Sequence, residues 1–380
     1  MDGSKRLVWL DGLRLIAGVS MVGLHASADI KGQPFPDFTA LERAGPVFFR
    51  SIMYLARTEL FLIISLFLLF MSLDMRPRGY WTTIYEQAKR LLRPFVFWVV
   101  FYAFYRLIKA IHFGYETAII DQLLTPQSWI GYFVLGDVQY HMHFLPTLFG
   151  LILFYPLCLC VIKHPWLGVV VLICLFTKRE CDLWLWAHKD IVPAFEYVLR
   201  LVKVLAYVGY ACVAASAYGL YRKHQNWLVL NELFPFIFLV GGFLYLLKII
   251  YSFRVIEFAN WQYSYTPAFW ADFLMPVVLF FLCMSSRRVN KWSWLSSAAP
   301  YSFGIYLVHP IFLDIAEIML WDFRLLPIVF VLAKTVWGVF LSTIFVIFLS
   351  KTPLAWSVGL GRFPSLRVFS RLLKFKGFST

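Results

Sequence analysis

Nine apolar stretches recur along this chain, near 8–30, 47–73, 91–111, 142–162, 198–221, 228–250, 268–285, 298–320 and 325–350. Each is long enough to cross a hydrocarbon layer about 30 Å thick as a helix. Lipid offers the backbone no hydrogen-bond partner, so a segment that crosses it must satisfy its own N–H and C=O groups. The pattern predicts an all-α, polytopic membrane helical bundle. With 61% hydrophobic and only 15% charged residues, the composition excludes a soluble domain. A tenth crossing is less regular. Residues 165–177 are apolar but short, and Lys178-Arg179-Glu180-Cys181-Asp182 and the aromatic stretch 183–186 follow, so this segment either crosses tilted or is partly re-entrant.

The formal net charge of +14 does not point to nucleic acid, because the basic residues lie in short clusters between the apolar runs and read as orientation signals. With ten crossings and a cytoplasmic N-terminus, 19 Lys and Arg fall on the cytoplasmic side against 8 outside. Both termini are then cytoplasmic. A nine-crossing chain would invert every loop after residue 163 and lose that asymmetry. Lys5 and Arg6 precede an apolar run ending in Ala26-Ser27-Ala28, as in a secretory signal, but Asp11 and Arg14 interrupt the run, so it reads as a retained first span. The six cysteines lie mostly in apolar segments without CxxC spacing, with Cys181 in a polar connection; neither a disulfide framework nor zinc is indicated. Residues 1–350 read as one transmembrane domain and 351–380 as a short basic cytoplasmic tail resting on anionic lipid headgroups.

Ionisable groups inside such spans are costly and mark functional sites. Arg14 and His25 share the first span eleven residues apart, about three turns, which places them on one face about 16 Å apart along the axis. Arg50, Arg106, Arg200, Lys203 and Lys248 lie near span ends and are expected to snorkel, as is the deeper Lys334. Arg57 sits near the middle of its span. Glu59, two residues on, points to another side of a helix, so each is expected to find a different partner; for Arg57, ion pairing and ligand binding both stay open. Tyr140-His141-Met142-His143-Phe144-Leu145-Pro146 places two histidines where an outside loop enters a span, without the third ligand at helical spacing that zinc requires. Arg90 and Arg93, ahead of Pro94, share a face at the cytoplasmic start of the third span, either as an anchor or as a phosphate cradle. G-x-S-x-G, Walker and dinucleotide signatures are absent.

These residues carry a family resemblance. Trp9-Leu10-Asp11-Gly12-Leu13-Arg14, followed after ten residues by His25, resembles the R-x10-H signature of the acyltransferase-3 family of integral membrane O-acyltransferases. Phe61-Leu62-Ile63-Ile64-Ser65-Leu66-Phe67-Leu68-Leu69 resembles its "FFxISGFLL" span, Tyr140 to Leu145 its "HLWFL" segment, and Ser302-Phe303-Gly304-Ile305-Tyr306-Leu307-Val308-His309-Pro310 its "S-x-x-IYLIHP". Leu66 replaces a glycine, His143 a tryptophan, and Glu59 stands where many members carry proline.

The resemblance implies ten spans and transfer of an acyl group, most often acetyl, from cytoplasmic acyl-CoA to a hydroxyl of an extracytoplasmic or lipid-linked polysaccharide. Residence in a bacterial cytoplasmic (inner) membrane goes with it. His25 would serve as base, and Arg14 would bind CoA phosphate or steady developing oxyanion charge. Arg57, Arg90 and Arg93 complete the expected donor contacts. Glu59, Tyr140, His141, His143, Tyr306 and His309 are the expected acceptor contacts, His309 as a helix-terminus residue that lines the cavity. No metal is expected. The pantetheine arm would thread a polar channel between Arg14 and His25. The competing class is a transporter or flippase of lipid-linked sugars, for which buried charges serve equally well.

Overall fold

A computed structural model describes residues 7–223, 228–262, 265–285, 295–361 and 363. The basic clusters at Lys5-Arg6 and Arg287, Arg288 and Lys291, and most of the 351–380 tail with its expected headgroup contact, lie outside the described residues.

The helices run α1 (Val8–Ala26), α2 (Ala40–Met53), α3 (Thr58–Met75), α4 (Tyr80–Phe113), α5 (Glu116–Leu124), α6 (Pro126–Val134), α7 (Phe144–Leu153), α8 (Leu159–Lys163) and α9 (Val170–Ala187). They continue with α10 (Phe195–Lys223), α11 (Leu228–Phe258), α12 (Thr266–Ser285), α13 (Leu295–Ala298), α14 (Ser302–Leu320) and α15 (Pro327–Ser350). No strand occurs among the described residues. The chain is an all-α polytopic membrane bundle. Among the described residues eight helical segments are long and apolar enough to cross a membrane, or nine when the pair bent by 64° at residue 154 counts as one. The irregular segment is neither a polar connection nor a loop: α9 continues through Lys178–Asp182 as one helix along α10, with Lys178 closing an i,i+4 ion pair to Asp182, and Cys181 lies within it. All six cysteines are free.

The largest core joins α1, α3, α4, α7, α10 and α14. Trp9 stands edge-on to Phe67 and Phe280 at 5.8 and 5.5 Å, geometry that favours aromatic pairs. Leu66, the departure from the family glycine, is buried there. At Gly219 α10 runs so close to α8 that a Cβ would collide with the Ile162 carbonyl. After α15 the chain folds back under the bundle, where the Ser357 carbonyl accepts from Trp98 Nε1 at 2.8 Å.

The structure corrects the snorkelling expectation for two lysines. Lys334 is fully buried on α15; its ammonium pairs with Glu317 and donates to the Ala28 carbonyl at 3.2 Å. Lys248 is buried against Asp272 at 2.5 Å and lies 3.8 Å from the Tyr54 ring centroid. Both sit among packed helices, so no side-chain extension reaches water. Lys109, expected in an outside segment, also turns inward, to Asp314 at 2.9 Å and to Glu317. The result is a largely buried quartet of two lysines and two acids joining α4, α14, α15 and the connection that follows α1. Removing one member strands a charge in a low-dielectric interior, which costs roughly 3–5 kcal/mol. Lys334→Met alone should therefore lower the thermal midpoint of the purified protein, and Lys334→Met with Glu317→Leu should recover much of that loss. Equal midpoints for the parent and the single variant would show that the quartet contributes nothing.

Candidate functional site

The last turn of α1 carries His25, whose ring stacks on His309 at 5.5 Å with 21° between planes and meets Tyr140 at 4.3 Å. Among the described residues neither ring nitrogen of His25 has a hydrogen-bond partner, and the side chain is only half-buried. A group of this kind, held by ring contacts alone, keeps both nitrogens available.

His309 is not at a helix terminus as expected from the sequence. It lies midway along α14, fully buried, and the next residue explains its orientation. Pro310 has no N–H, so the carbonyl four residues earlier, that of Tyr306, loses its helical donor. His309 Nδ1 fills the gap at 2.7 Å. A carbonyl only accepts, so Nδ1 carries the proton and Nε2 presents a lone pair, buried and without a partner. The neighbouring Leu307 carbonyl is served by the Tyr102 hydroxyl at 2.6 Å.

His141 packs within 5.3 Å of the rings of Tyr102, Tyr306 and His309. Both of its nitrogens are buried without a well-formed hydrogen bond, and the Leu307 carbonyl beside it accepts from Tyr102. The Tyr306 hydroxyl is spent on the His141 carbonyl. That leaves Tyr140 as the tyrosine of this group with its hydroxyl unspent among the described residues; it is 43% exposed although its ring touches His25. α5 and α6, folded from the long loop after α4, deliver the turn that carries it. The structure thus brings His25, Tyr140, His141, Tyr306 and His309 together.

His143 turns elsewhere. Its Nδ1 contacts the Tyr140 carbonyl at 2.8 Å, and its charged neighbours are Lys203, Arg200 and Arg57. Arg57 and Glu59 do pair, at 3.2 Å, contrary to the expectation from helical spacing. The helix breaks there: Arg57 has extended backbone at the start of α3, so the two-residue offset of a regular helix does not apply. Glu59 also accepts from the Tyr207 hydroxyl at 2.5 Å, and Arg57 lies 3.9 Å from Asp272. Arg57 therefore belongs with this second cluster and not with Arg14.

At the other end of α1, Arg14 faces Asp11 at 3.9 Å and is an electrostatic neighbour of Arg90. Arg93 turns away, over the Phe363 ring at 4.8 Å. Between Arg14 and His25 the same face of α1 carries Gly18 and Met21. An apolar groove of about 660 Å³ meets this stripe at Gly18, bounded by Ser302 and Ile305 of α14 and Val339 of α15.

Just past His25 a cavity of about 790 Å³ lies between the α1–α2 and α14–α15 connections, combining Phe38 and Trp321 with Asp29, Lys31, Asp37, Asp322 and Arg324. Asp29 Oδ1 accepts the Lys31 and Gln33 amides at 2.9 and 2.7 Å. Partial burial still pushes its carboxyl above the ordinary range, against those two donors. Phe35 and Arg324 both adopt left-handed backbone (φ 56° and 46°), a sparsely populated state for such side chains.

Sequence reasoning missed Arg50 and Tyr102. Arg50 does not snorkel: it donates to the Leu24 carbonyl and Ser27 Oγ at 2.8 and 3.0 Å, capping α1 beside His25. Position near a span end could not distinguish capping from snorkelling, and nothing local marks Tyr102 as the partner of a carbonyl more than two hundred residues away.

The acyltransferase-3 family model, an acyltransferase domain, matches residues 7–349. No curated protein and no solved structure matches the chain.

The proline argument is testable directly. Pro310→Ala restores a backbone donor for Tyr306 and should release His309 to a mixture of tautomers. The ring ¹⁵N shifts of selectively labelled protein report this: a single Nδ1–H form in the parent and averaging in the variant is the expected result, and identical spectra would refute the assignment.

Proposed function

Since this chain belongs to the acyltransferase-3 family and is an integral membrane acyltransferase, we propose that it moves an acetyl or other short acyl group from cytoplasmic acyl-CoA to a hydroxyl of an extracytoplasmic or lipid-linked glycan. Both termini would then be cytoplasmic, in a bacterial inner membrane. The observation that carries the reading is the half-buried, unbonded His25 imidazole set between a partly exposed Tyr140 and the stacked ring of His309, whose Nε2 is also unbonded.

A sugar hydroxyl is a weak nucleophile at neutral pH, and a positioned imidazole can take its proton as the oxygen attacks the thioester carbon. In this reading His25 is that base, and His309 Nε2 orients either the His25 ring or the incoming hydroxyl. Carbonyl oxygen gains negative charge in the same step, and in this reading the unspent Tyr140 hydroxyl donates to it. When the carbon–sulfur bond breaks, the proton held by His25 passes to the departing thiolate. Nothing accumulates on the protein.

At the donor end, Arg14 and Arg90 form a cationic pair that suits the CoA phosphates. The apolar face between the clusters and the groove at Gly18 offer the pantetheine arm an apolar path of about 16 Å. The mixed aromatic and polar cavity beyond His25 suits a sugar, whose apolar ring faces stack on Trp321 while its hydroxyls meet the carboxylates.

Purified protein in nanodiscs should release thiol from acetyl-CoA when acceptor is present. His25→Ala should reduce that rate by about 10²- to 10⁴-fold while leaving the thermal midpoint unchanged; wild-type activity in this variant would remove His25 from the chemistry. Arg14→Lys should raise KM for acetyl-CoA by about tenfold, because an ammonium cannot reproduce a bidentate guanidinium contact. Glycan movement across the bilayer without any thiol release would instead favour a lipid-linked sugar transporter.

A further inference from the structure

The second cluster has more positive than negative charge. Its acids are already engaged: Glu59 by Arg57 at 3.2 Å and by Tyr207, Asp272 by Lys248 at 2.5 Å, and Asp182 by Lys178. Two cations of α10 are left over. Arg200 makes only long contacts, 3.4 Å to both the His143 carbonyl and Thr147 Oγ1, with Asp137 and Glu196 beyond ion-pair distance. Lys203 has no hydrogen bond or ion pair among the described residues; its ammonium lies 5.4 Å from the Tyr207 ring centroid. Its strongest electrostatic neighbours are Arg200, Glu59, Lys178 and Arg57, three cations to one acid.

A lysine held among like charges inside a membrane bundle either gives up its proton or is joined by an anion, and the guanidinium of Arg200 beside it cannot give up its own. The place is suggestive because His143 belongs to both environments: it borders Lys203 and Arg200 on one side and lies within the field of His25 on the other. We propose that Lys203 and Arg200 form a receptor for an anionic group, a carboxylate or a phosphate, carried by the acceptor molecule whose hydroxyl reacts at His25. The inference rests on the transferase reading for what the acceptor is, but the anion site itself does not depend on it. The acceptor class it selects is an acidic sugar or a sugar still bearing a phosphate linkage. Neutral glycans would leave Lys203 unpaired and bind poorly.

Thermal unfolding of the full chain in nanodiscs, at matched ionic strength, tests this with sodium glucuronate, inorganic phosphate and glucose. Glucuronate or phosphate should raise the midpoint by roughly 2 °C or more and glucose should not, since a ligand of the folded state stabilises it by mass action. A response to glucuronate alone identifies a carboxylate source, and a response to phosphate alone a phosphate source. Lys203→Met should abolish the response and Lys203→Arg retain it; should Lys203→Met fail to fold, Arg200→Gln, which should weaken apparent anion affinity by about tenfold, replaces it. No anion response in the parent protein, or an undiminished one in the neutral variants, overturns the proposal. Thiol release from acetyl-CoA is measured on the same samples: its absence beside a Lys203-dependent anion response would sink the transferase reading and leave the anion site standing.

Discussion

Desolvation of charge organises this bundle. In an interior that hydrates an ammonium or a carboxylate poorly, most charges are paired with opposite ones, and two sets of such partners tie helices together across their interfaces. Lys109, Asp314, Glu317 and Lys334 bind α4, α14 and α15 to the connection just after α1. Arg57, Glu59, Lys248 and Asp272 bind the start of α3 to α11 and α12, with Tyr207 reaching in from α10. The histidine cluster lies between them. Its position follows from both, since the first set fixes the end of the helix that carries His25 and the second borders His143.

A second constraint acts within single helices. Proline in α14 removes a backbone donor, and the vacancy is filled by His309 Nδ1, which fixes the imidazole with its ring stacked on His25 and Nε2 unbonded. The carbonyl next to it is served by Tyr102. In α12 the Phe273 carbonyl, three residues before Pro276 as Leu307 is three before Pro310, likewise accepts from a tyrosine hydroxyl, that of Tyr210, at 2.7 Å. Prolines in membrane helices are tolerated where side chains from neighbouring helices re-satisfy the backbone, and in α14 that repair also sets the hydrogen-bonding state of a ring in the candidate site.

The two ends of α1 differ in character. Near Arg14 the neighbours are Asp11 and a second guanidinium; near His25 they are aromatic and imidazole rings, several with unbonded nitrogens, and the Tyr140 phenol. Apolar residues separate them along the helix. A continuous helix is what makes the separation fixed, because rise per residue leaves no freedom in it.

Much of this was legible without coordinates. Apolar run length fixed the class of fold, since only helices survive lipid as isolated segments, and the spacing of Arg14 and His25 placed them on one face, since α1 is regular throughout. Tertiary structure alone decided the rest. Arg57 and Glu59 pair because the helix breaks between α2 and α3, and the direction of a buried Lys334 or Lys248 depends on an acid from another helix. Whether an ionisable side chain meets lipid, water or a counter-ion is a property of its neighbours in space, and in a bundle of antiparallel helices those neighbours come from distant parts of the chain.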